Sequence, residues 1–188
     1  SMDNDDERRG EPTVHKQYGV KKAHLIANKY ILHALCNILK ICDKESKILI
    51  FEQLKNASLG QYFDLTGVTN SDNDEMSNII NLKTAPFFNI AFILAGFYIK
   101  EVDYDVYIKL GNLFSGMFQI CDDIEDLVKD LKKNHTMNHC ILMGKEKCIS
   151  LYLEKKKEFV TLLQESKMYI PYFIYLIEKL DKKIGIDL

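Results

Sequence analysis

Apolar residues recur at three- and four-residue spacing through most of this chain, and this pattern restricts its fold more than any other feature. Such spacing places the apolar residues on one face of a helix. Only three prolines and nine glycines interrupt the 188 residues, and we find no apolar–polar alternation of the kind a half-buried strand shows. The sequence therefore predicts an all-α fold in one domain over residues 1–188, a length that can bury a real core.

The predicted helices are long and follow each other closely. They run from Val20 to about Cys42, Lys44 to about Asp64, Glu75 to Leu82, Lys83 to about Lys100, Asp103 to about Lys132, Lys145 to about Glu165, and Tyr169 to about Lys183. Pro86 would lie in the first turn of the Lys83 helix, where proline is tolerated. Residues 1–18 are predicted as a helix end and loop around Gly10 and Pro12, and residues 66–74 as a polar loop; residues 134–144 fit neither state clearly.

Charge and hydropathy exclude several classes of protein. Lysine and arginine number 25 against 27 acidic residues, a net charge of −2, so no strong field points to nucleic acid. The most apolar stretch, Phe87–Tyr98, is shorter than the roughly 18–20 residues of a transmembrane helix, and we expect no transmembrane segment. No signal peptide is recognisable, and Ser1 is interpreted as a tag scar before Met2.

The cysteines and histidines carry no metal or disulfide pattern. The five cysteines include no C-x-x-C pair, which favours a reduced, cytoplasmic chain. His135 and His139 are four residues apart, but no acid or third ligand accompanies them as in zinc sites. We interpret both as surface or core histidines.

Two acidic clusters carry most of the functional information. The first covers residues 3–10 and includes Arg8 and Arg9; the second covers residues 118–126 and contains Asp122, Asp123 and Asp126 on one side of a helix. Carboxylates held together repel unless cations separate them, and Mg²⁺ binds carboxylates while bridging to substrate phosphates. Arginine matches phosphate oxygens with a planar fork of donors. The clusters indicate a magnesium–diphosphate site, although an exposed acidic helix face and a local salt-bridged turn remain as alternatives.

Two weaker motifs lie between the clusters. Lys83-Thr84 opens the most apolar predicted helix, where a lysine and free backbone N–H groups can contact phosphate; the alternative is an ordinary cation at a helix start. In the second motif, Gly60 would permit close helix approach, and Gln61 and Asp64 would then face the same space.

In this order the motifs resemble those of the all-trans polyprenyl (short-chain isoprenyl) diphosphate synthases. Met2–Gly19 reads M-D-N-D-D-E-R-R-G-E-P-T-V-H-K-Q-Y-G and is similar to the family's M-D-N-D-x-x-R-R-G-x-P-T-x-H-x-x-Y/F-G. Residues 60–65, G-Q-Y-F-D-L, are similar to G-Q-x-x-D-L. Residues 83–88, K-T-A-P-F-F, are similar to K-T-x-x-L/F-F and also resemble viral members. Residues 118–126, F-Q-I-C-D-D-I-E-D, are similar to F-Q-x-x-D-D-x-x-D.

The resemblance implies a bundle of helices around a deep cavity, usually in a homodimer. It implies a prenyltransferase that condenses an allylic diphosphate with isopentenyl diphosphate into a farnesyl- or geranylgeranyl-type product. Up to three Mg²⁺ ions would be shared with the diphosphate. The metals would neutralise the leaving group, and a dry cavity would protect the allylic cation from water.

Carried over residue by residue, the resemblance assigns a role to each motif. The expected metal ligands are Asp3 and Asp122, with Asp123 and Asp126 close by or acting through water. Arg8 and Lys83 would hold the allylic diphosphate, and Arg9 the isopentenyl diphosphate. Thr84 and Gln119 would line the site near the developing cation. Gln61 and Asp64 would support the cavity or the water shell of the metal.

The chain departs from the family pattern at two places. It begins inside the first acidic motif, so we expect the upstream Asp-Asp pair, the G-G-K-R-x-R-P segment and the first helices to be absent, and turnover by this chain alone to be weak or nil. After Asp126 a G-K-x-x-x-x-D stretch is absent, and Lys129, Lys132 or Lys133 is a candidate for the missing lysine.

Other functions remain open at the sequence level. In the first alternative, the chain is a non-catalytic partner subunit that forms a heteromer with a full-length synthase. Terpene cyclases also use metal ions in this way, but they fit less well, because Arg8-Arg9 and Lys83-Thr84 suit a second diphosphate substrate. A generic helical scaffold is the third alternative. The product chain length is not determined by these motifs.

Overall fold

The computed structural model of the chain describes residues 5–66, 73–100, 103–133, 138–168 and 170–186. Within these residues it contains eight helices and one two-stranded hairpin, so the predicted all-α class is confirmed. The chain forms two compact units, Ser1–Lys47 and Ile48–Leu188. That residues 1–188 make a single domain stays a prediction.

The first unit opens with a small hairpin that the sequence analysis missed. Strands β1 (Glu7–Arg8) and β2 (Glu11–Pro12) pair antiparallel. Arg9 and Gly10 connect them with φ angles of 57° and 79°, the positive values of a type I′ turn. The prediction of a helix end and loop over residues 1–18 is therefore wrong. Strands of two residues are too short to show alternation.

Two helices follow the hairpin in the first unit. These are α1 (Val14–Tyr18) and α2 (Val20–Ile41), separated by Gly19 with φ 81°. Among the described residues of this unit only Cys42 and Ser46 are buried. The bounds of α2 agree with the prediction.

Helix α3 (Lys44–Thr66) begins at a side-chain cap. The backbone N–H of Ser46 donates to Asp43 Oδ1 at 2.8 Å, and the Ser46 hydroxyl donates to the same oxygen at 2.6 Å. An acceptor in this position satisfies a free N–H group of the first turn. Asp43 therefore fixes where α3 starts.

The second unit contains the rest of the helices. They are α4 (Asn73–Ile99), α5 (Tyr104–Lys133), α6 (His139–Met143), α7 (Lys145–Glu165) and α8 (Pro171–Ile184). Helices α3, α5, α7 and α8 lie within two residues of their predicted bounds. Of the predicted loop at 66–74, residues 67–72 lie outside the described part, as do 134–137 of the unassigned segment.

Helix α4 corrects the prediction of two helices meeting at Lys83. It is continuous from Asn73 to Ile99, and Pro86 lies buried inside it. Proline has no N–H, so the Leu82 carbonyl loses its usual helical partner. A Cβ on Gly60 would stand 2.5 Å from both Leu82 C and Lys83 N. Close packing of α3 on this part of α4 is the interaction that outweighs the local preference of proline.

The core of the second unit is built around α5. Its buried cluster includes Leu110, Phe114, Met117 and Ile120 from α5, joined by residues from α6, α7 and α8. Phe88 packs against Phe114 and Phe118, with ring centroids 5.4 and 5.3 Å apart. Residues of α4, α6, α7 and α8 therefore pack against α5, the helix that carries the second acidic motif.

The C-terminal part of α4 is strongly apolar. Within the described residues, Asn81–Ile99 is long and apolar enough, by length and composition, to cross a membrane, and 28% of an 18-residue stretch of it is buried. The expectation that Phe87–Tyr98 is too short took no account of the helix continuing N-terminally. Asn89 in this segment is buried and donates to Gln53 Oε1 at 3.0 Å and Asn112 Oδ1 at 2.8 Å. These bonds tie α4 to α3 and α5.

Candidate active site

The three aspartates of the second acidic motif do not share one environment. The side chains of Asp122 and Asp126 are 38% and 52% exposed, whereas that of Asp123 is 6% exposed. Asp122 and Asp126 are four residues apart and therefore neighbours on the helix surface. The structure thus leaves two carboxylates open to a ligand and turns the third into the protein.

Asp123 joins α5 to the start of α6. Its Oδ2 accepts from the backbone N–H of His139 at 2.9 Å and lies 2.6 Å from His139 Nδ1. Its Oδ1 accepts from Gln119 Nε2 at 2.8 Å. Both oxygens therefore have partners inside the protein. His139 is buried, so of the two interpretations, surface or core histidine, the second applies to it; His135 lies outside the described residues.

Asn138 completes this junction. Its Nδ2 donates to the Asp123 carbonyl and to Asp130 Oδ2, each at 2.9 Å. Its Oδ1 accepts from the backbone N–H groups of Cys140 and Ile141 and caps α6. The sequence analysis missed this asparagine, although Asn before a short helix is a common cap.

Lys183 of α8 is the cation beside Asp122, and the sequence analysis also missed it. Its Nζ lies 3.1 Å from Asp122 Oδ1 and 2.8 Å from Glu125 Oε2. It also stands 5.7 Å from the centre of the Phe118 ring, within cation–π range. Lys183 is 61 positions from Asp122, so no local pattern could have joined them.

The lysines proposed from sequence lie elsewhere on α5. Lys129 Nζ stands 3.4 Å from Asp126 Oδ1, Lys132 is exposed, and the side chain of Lys133 lies outside the described part. Only Lys129 of the three therefore has a described contact with the motif.

Burial and neighbouring acidic residues disfavour ionisation of the Asp122 carboxylate. Burial raises the pKa of Asp122, and the charges of Glu125 and Asp126 add to the increase, while hydrogen bonding and charge from Lys183 oppose it. The hydrogen bond to Glu125 raises the pKa of Lys183. A further cation at this position would stabilise the ionised form of Asp122.

A second group of predicted residues meets between α3 and α4. Lys83 Nζ lies 2.6 Å from Asp64 Oδ2, and Gln61 Nε2 donates to the same oxygen at 3.5 Å. The Lys83 side chain is 38% exposed. The close approach at Gly60 brings these residues together, which confirms that Gln61 and Asp64 face the same space.

Thr84 links this group to the acidic motif. Its hydroxyl donates to Gln119 Oε1 at 3.0 Å, and Gln119 in turn donates to Asp123. Lys83 and Thr84 on α4 are thereby connected to the aspartates on α5. Lys83 lies in the interior of α4 and not at a helix start, so the expected free backbone N–H groups are not a feature of this site.

Residues of the first motif belong to the first unit. Arg8 and Arg9 are exposed on the hairpin, and Asp6 forms an ion pair of 2.8 Å with Lys16. Asp3 lies outside the described residues.

The partly exposed carboxylates of Asp122 and Asp126 are oxygen donors of the kind that Mg²⁺ prefers. Within the described ranges no group of three or more His, Cys, Asp or Glu side chains is arranged to hold a metal. Mg²⁺, however, is commonly bound by one or two carboxylates together with substrate phosphates and water. Asp122 and Asp126 supply the oxygen donors of that type.

An all-α fold with these linked motifs defines an isoprenoid-synthase-type protein. The polyprenyl synthetase family matches residues 2–150. The chain belongs to this family, and the resemblance found in the sequence is confirmed.

Relatives of known sequence include viral and archaeal proteins. The chain is 27% identical over 184 residues to a trans-prenyltransferase of African swine fever virus, covering 95% of this chain and 56% of the relative. It is 28% identical over 178 residues to a short chain isoprenyl diphosphate synthase of Methanocaldococcus jannaschii, covering 86% and 54%. The chain thus spans about half the length of these curated relatives.

Solved structures show the same fold. A geranyltranstransferase from Thermotoga maritima superposes with a TM-score of 0.83 at 22% identity, over 98% of this chain and 69% of that protein. An isoprenoid synthase family member from Thermotoga neapolitana gives 0.77 at 25% identity, over 88% and 64%. The helical isoprenoid-synthase fold is therefore confirmed.

Proposed function

We propose that this site serves prenyl transfer from an allylic diphosphate to isopentenyl diphosphate, giving a short-chain prenyl diphosphate of the farnesyl or geranylgeranyl type. The observation that carries the proposal is the hydrogen-bonded connection from Thr84 through Gln119 to Asp123, beside Lys83 and Asp122. It connects the part of α4 where Lys83 adjoins Thr84 to the part of α5 where Asp122 adjoins Asp123. Family membership and the trans-prenyltransferase relatives support the same reaction.

Asp122 and Asp126 would hold Mg²⁺, and a role of Asp3 as a metal ligand stays an expectation from the family resemblance. When bound, magnesium neutralises negative charge on the diphosphate leaving group. Up to three ions would be shared with the substrate.

The remaining residues bind and orient the substrates. Lys83 would donate hydrogen bonds to the allylic diphosphate; binding of the allylic diphosphate by Arg8 and of the isopentenyl diphosphate by Arg9 stays an expectation from the family resemblance. The allylic carbon–oxygen bond breaks, and diphosphate leaves with the electron pair. The isopentenyl double bond then attacks the allylic carbon, and the resulting cation loses a proton.

The developing positive charge would lie near the oxygen atoms of Thr84 and Gln119 and the rings of Phe88 and Phe118. Thr84 Oγ1 and Gln119 Oε1 present partial negative charge that costs no reorganisation during the reaction. Phe88 and Phe118 pack with their ring centroids 5.3 Å apart, and this apolar neighbourhood would limit access of water. Asp123 would act as a positioning residue, because it holds Gln119. Gln61 and Asp64 would orient Lys83.

Binding of an allylic diphosphate tests this proposal. In calorimetry with geranyl diphosphate we expect heat of binding with Mg²⁺ and none with EDTA. Asp122→Asn and Lys83→Gln should each weaken binding roughly tenfold, the loss of one charge-assisted contact of about 1.4 kcal/mol. Ser58→Ala, on the exposed part of α3, is the control. Absence of magnesium-dependent binding in the folded protein overturns the proposal, and incorporation of labelled isopentenyl diphosphate then identifies the product length.

We also propose a cellular compartment and an oligomeric state for the chain. All five cysteines are free thiols, which supports a reducing, cytoplasmic location. A homodimer or a heteromer with another synthase chain is the expected assembly. Sedimentation of the purified chain, alone and with such a synthase, distinguishes these two.

A further inference from the structure

Lys183 is a cation already built into the second acidic motif. Its ammonium group is shared between Asp122 at 3.1 Å and Glu125 at 2.8 Å. A bound divalent ion would need the negative charge of the same Asp122 carboxylate that Lys183 contacts. The lysine and the metal therefore compete for one carboxylate.

The geometry points to an exchange of partners at this carboxylate. We propose that Lys183 releases Asp122 when a divalent cation binds there, and that its ammonium group then contacts an oxygen of the substrate diphosphate. This inference rests on the proposed function, since it names a further residue of the same site. Lys183 would thus be a metal-displaced counter-ion and a diphosphate ligand.

The backbone beneath Lys183 is held firmly, so only its side chain needs to move. Two residues earlier, buried Asp181 accepts from Tyr152 Oη and Lys156 Nζ, each at 2.8 Å. Ile184, the next residue, is buried in the core cluster. Helix α8 therefore has a fixed position from which the lysine reaches the motif.

The side chain of Lys183 has room and a second partner. It is 35% exposed, and its contact with Glu125 is shorter than its contact with Asp122. An ammonium group has three donors, so Lys183 keeps Glu125 when Asp122 is taken. It stays beside the metal position, where the charge of a diphosphate would be concentrated.

Opposite effects of one substitution follow from this arrangement. Without Lys183 a metal meets no competitor, so binding of the metal alone becomes tighter. The diphosphate loses a cationic donor, so its binding in the presence of metal becomes weaker. A purely structural role for Lys183 would shift both affinities in the same direction or neither.

The first measurement uses Mn²⁺ as the probe, titrated into the full 188-residue chain and followed by electron paramagnetic resonance. We expect Lys183→Gln to bind Mn²⁺ roughly two- to fivefold more tightly, the range for losing a partly exposed ion pair. Lys182→Gln removes the same charge from the adjacent, exposed position and should change Mn²⁺ affinity by less than half of that. Lys183→Arg keeps the charge and should bind Mn²⁺ like the unmodified chain.

The second measurement uses inorganic pyrophosphate in saturating Mg²⁺, followed by calorimetry. Lys183→Gln should bind it roughly two- to fivefold more weakly, and Lys182→Gln should not. Unchanged Mn²⁺ affinity in Lys183→Gln, or an equal gain in Lys182→Gln, overturns the inference, as does unchanged pyrophosphate affinity. Circular dichroism establishes that each variant is folded.

These outcomes are separable from those of the proposed function. If geranyl diphosphate fails to bind while both Lys183→Gln shifts appear, prenyl transfer is wrong and the partner exchange stands. If geranyl diphosphate binds with Mg²⁺ but neither shift appears, the partner exchange is wrong and the proposed function stands.

Discussion

Two adjacent aspartates in one motif have different partners, and this difference is visible only at the scale of single residues. Asp122 faces a lysine and solvent, while both oxygens of Asp123 bind groups inside the protein. A helix places neighbouring residues about 100° apart, so the D-D pair cannot present both carboxylates to one ligand equally. The sequence motif contains both aspartates but does not indicate which of the two carboxylates faces solvent.

Substitution of each aspartate by asparagine separates these roles. Asp123→Asn should lower the free energy of unfolding by about 3 kcal/mol, since it removes one member of a buried pair with His139. Asp122→Asn should change it by less than about 1 kcal/mol, as expected for a partly exposed ion pair. Urea unfolding followed by circular dichroism measures both values. Equal losses for the two variants contradict the assignment.

The pH dependence of the Asp122→Asn variant gives a second test at this scale. Burial raises the pKa of Asp122 in the folded chain, so the folded state binds this proton more tightly than the unfolded state. The stabilisation is present at acid pH and is lost as pH rises through the raised pKa. Asparagine carries no such dependence. The stability of Asp122→Asn relative to the unmodified chain should therefore increase between acid and neutral pH.

Urea unfolding across this pH range measures the relative stability directly. A difference that stays constant, or that decreases toward neutral pH, contradicts a raised pKa at Asp122.

At the scale of helices, the contact between α3 and α4 decides whether the predicted residues meet. A Cβ at position 60 would stand 2.5 Å from the α4 backbone, and real Cβ atoms do not approach so closely. Gly60→Ala should therefore lower the free energy of unfolding by about 1–3 kcal/mol, the range for overpacking. It should also weaken magnesium-dependent binding of geranyl diphosphate, because Lys83 moves from Asp64.

Ser58→Ala on the same helix is the matched control for this substitution. Ser58 is exposed, and alanine there should leave the free energy of unfolding and diphosphate binding nearly unchanged. A Gly60→Ala variant as stable as Ser58→Ala would contradict the close contact.

The helices were predictable from sequence where periodicity is long and uninterrupted. The bounds of α2, α5 and α7 follow from such runs. Helix α4 was divided wrongly at Lys83 because Pro86 is a local breaking signal, whereas the packing at Gly60 is a tertiary interaction. The hairpin was missed because Arg9 adopts a positive φ, which is uncommon for a residue with a side chain.

The candidate active site shows the same difference between local sequence patterns and tertiary contacts. The motifs identified Lys83, Thr84, Gln119 and Asp122, because each lies in a short pattern with recognisable chemistry. Lys183 and the pairing of Asp123 with His139 depend on which helices pack together. Contacts of this kind across many residues are set by the fold and are not contained in any local pattern.

At the scale of the whole molecule, burial is distributed unevenly between the two compact units. The core cluster consists of residues from 110 to 184, all in the second unit. In the first unit, Cys42 and Ser46 are the buried residues among those described. Since hydrophobic burial is the main favourable contribution to folding, the second unit holds most of the stability.

This distribution predicts how fragments of the chain behave. Residues 43–188 retain the Asp43 cap and the core, so the fragment should unfold cooperatively with a midpoint close to that of the full chain. Residues 1–42 contain one long helix, and isolated helices are only marginally stable in water. This fragment should show a broad transition without cooperativity. Urea unfolding of the fragments and of the full chain, compared by midpoint and slope, measures this.

The fragment experiment also decides whether residues 1–188 behave as a single domain. If the 43–188 fragment loses cooperativity or binds a hydrophobic dye, its core depends on residues 1–42, and the prediction of one domain is supported. If it unfolds like the full chain, the second unit is an independent domain, because it then holds its core without help. Magnesium-dependent pyrophosphate binding by the same fragment would further show whether Asp122, Asp126 and Lys183 retain their function without Arg8 and Arg9.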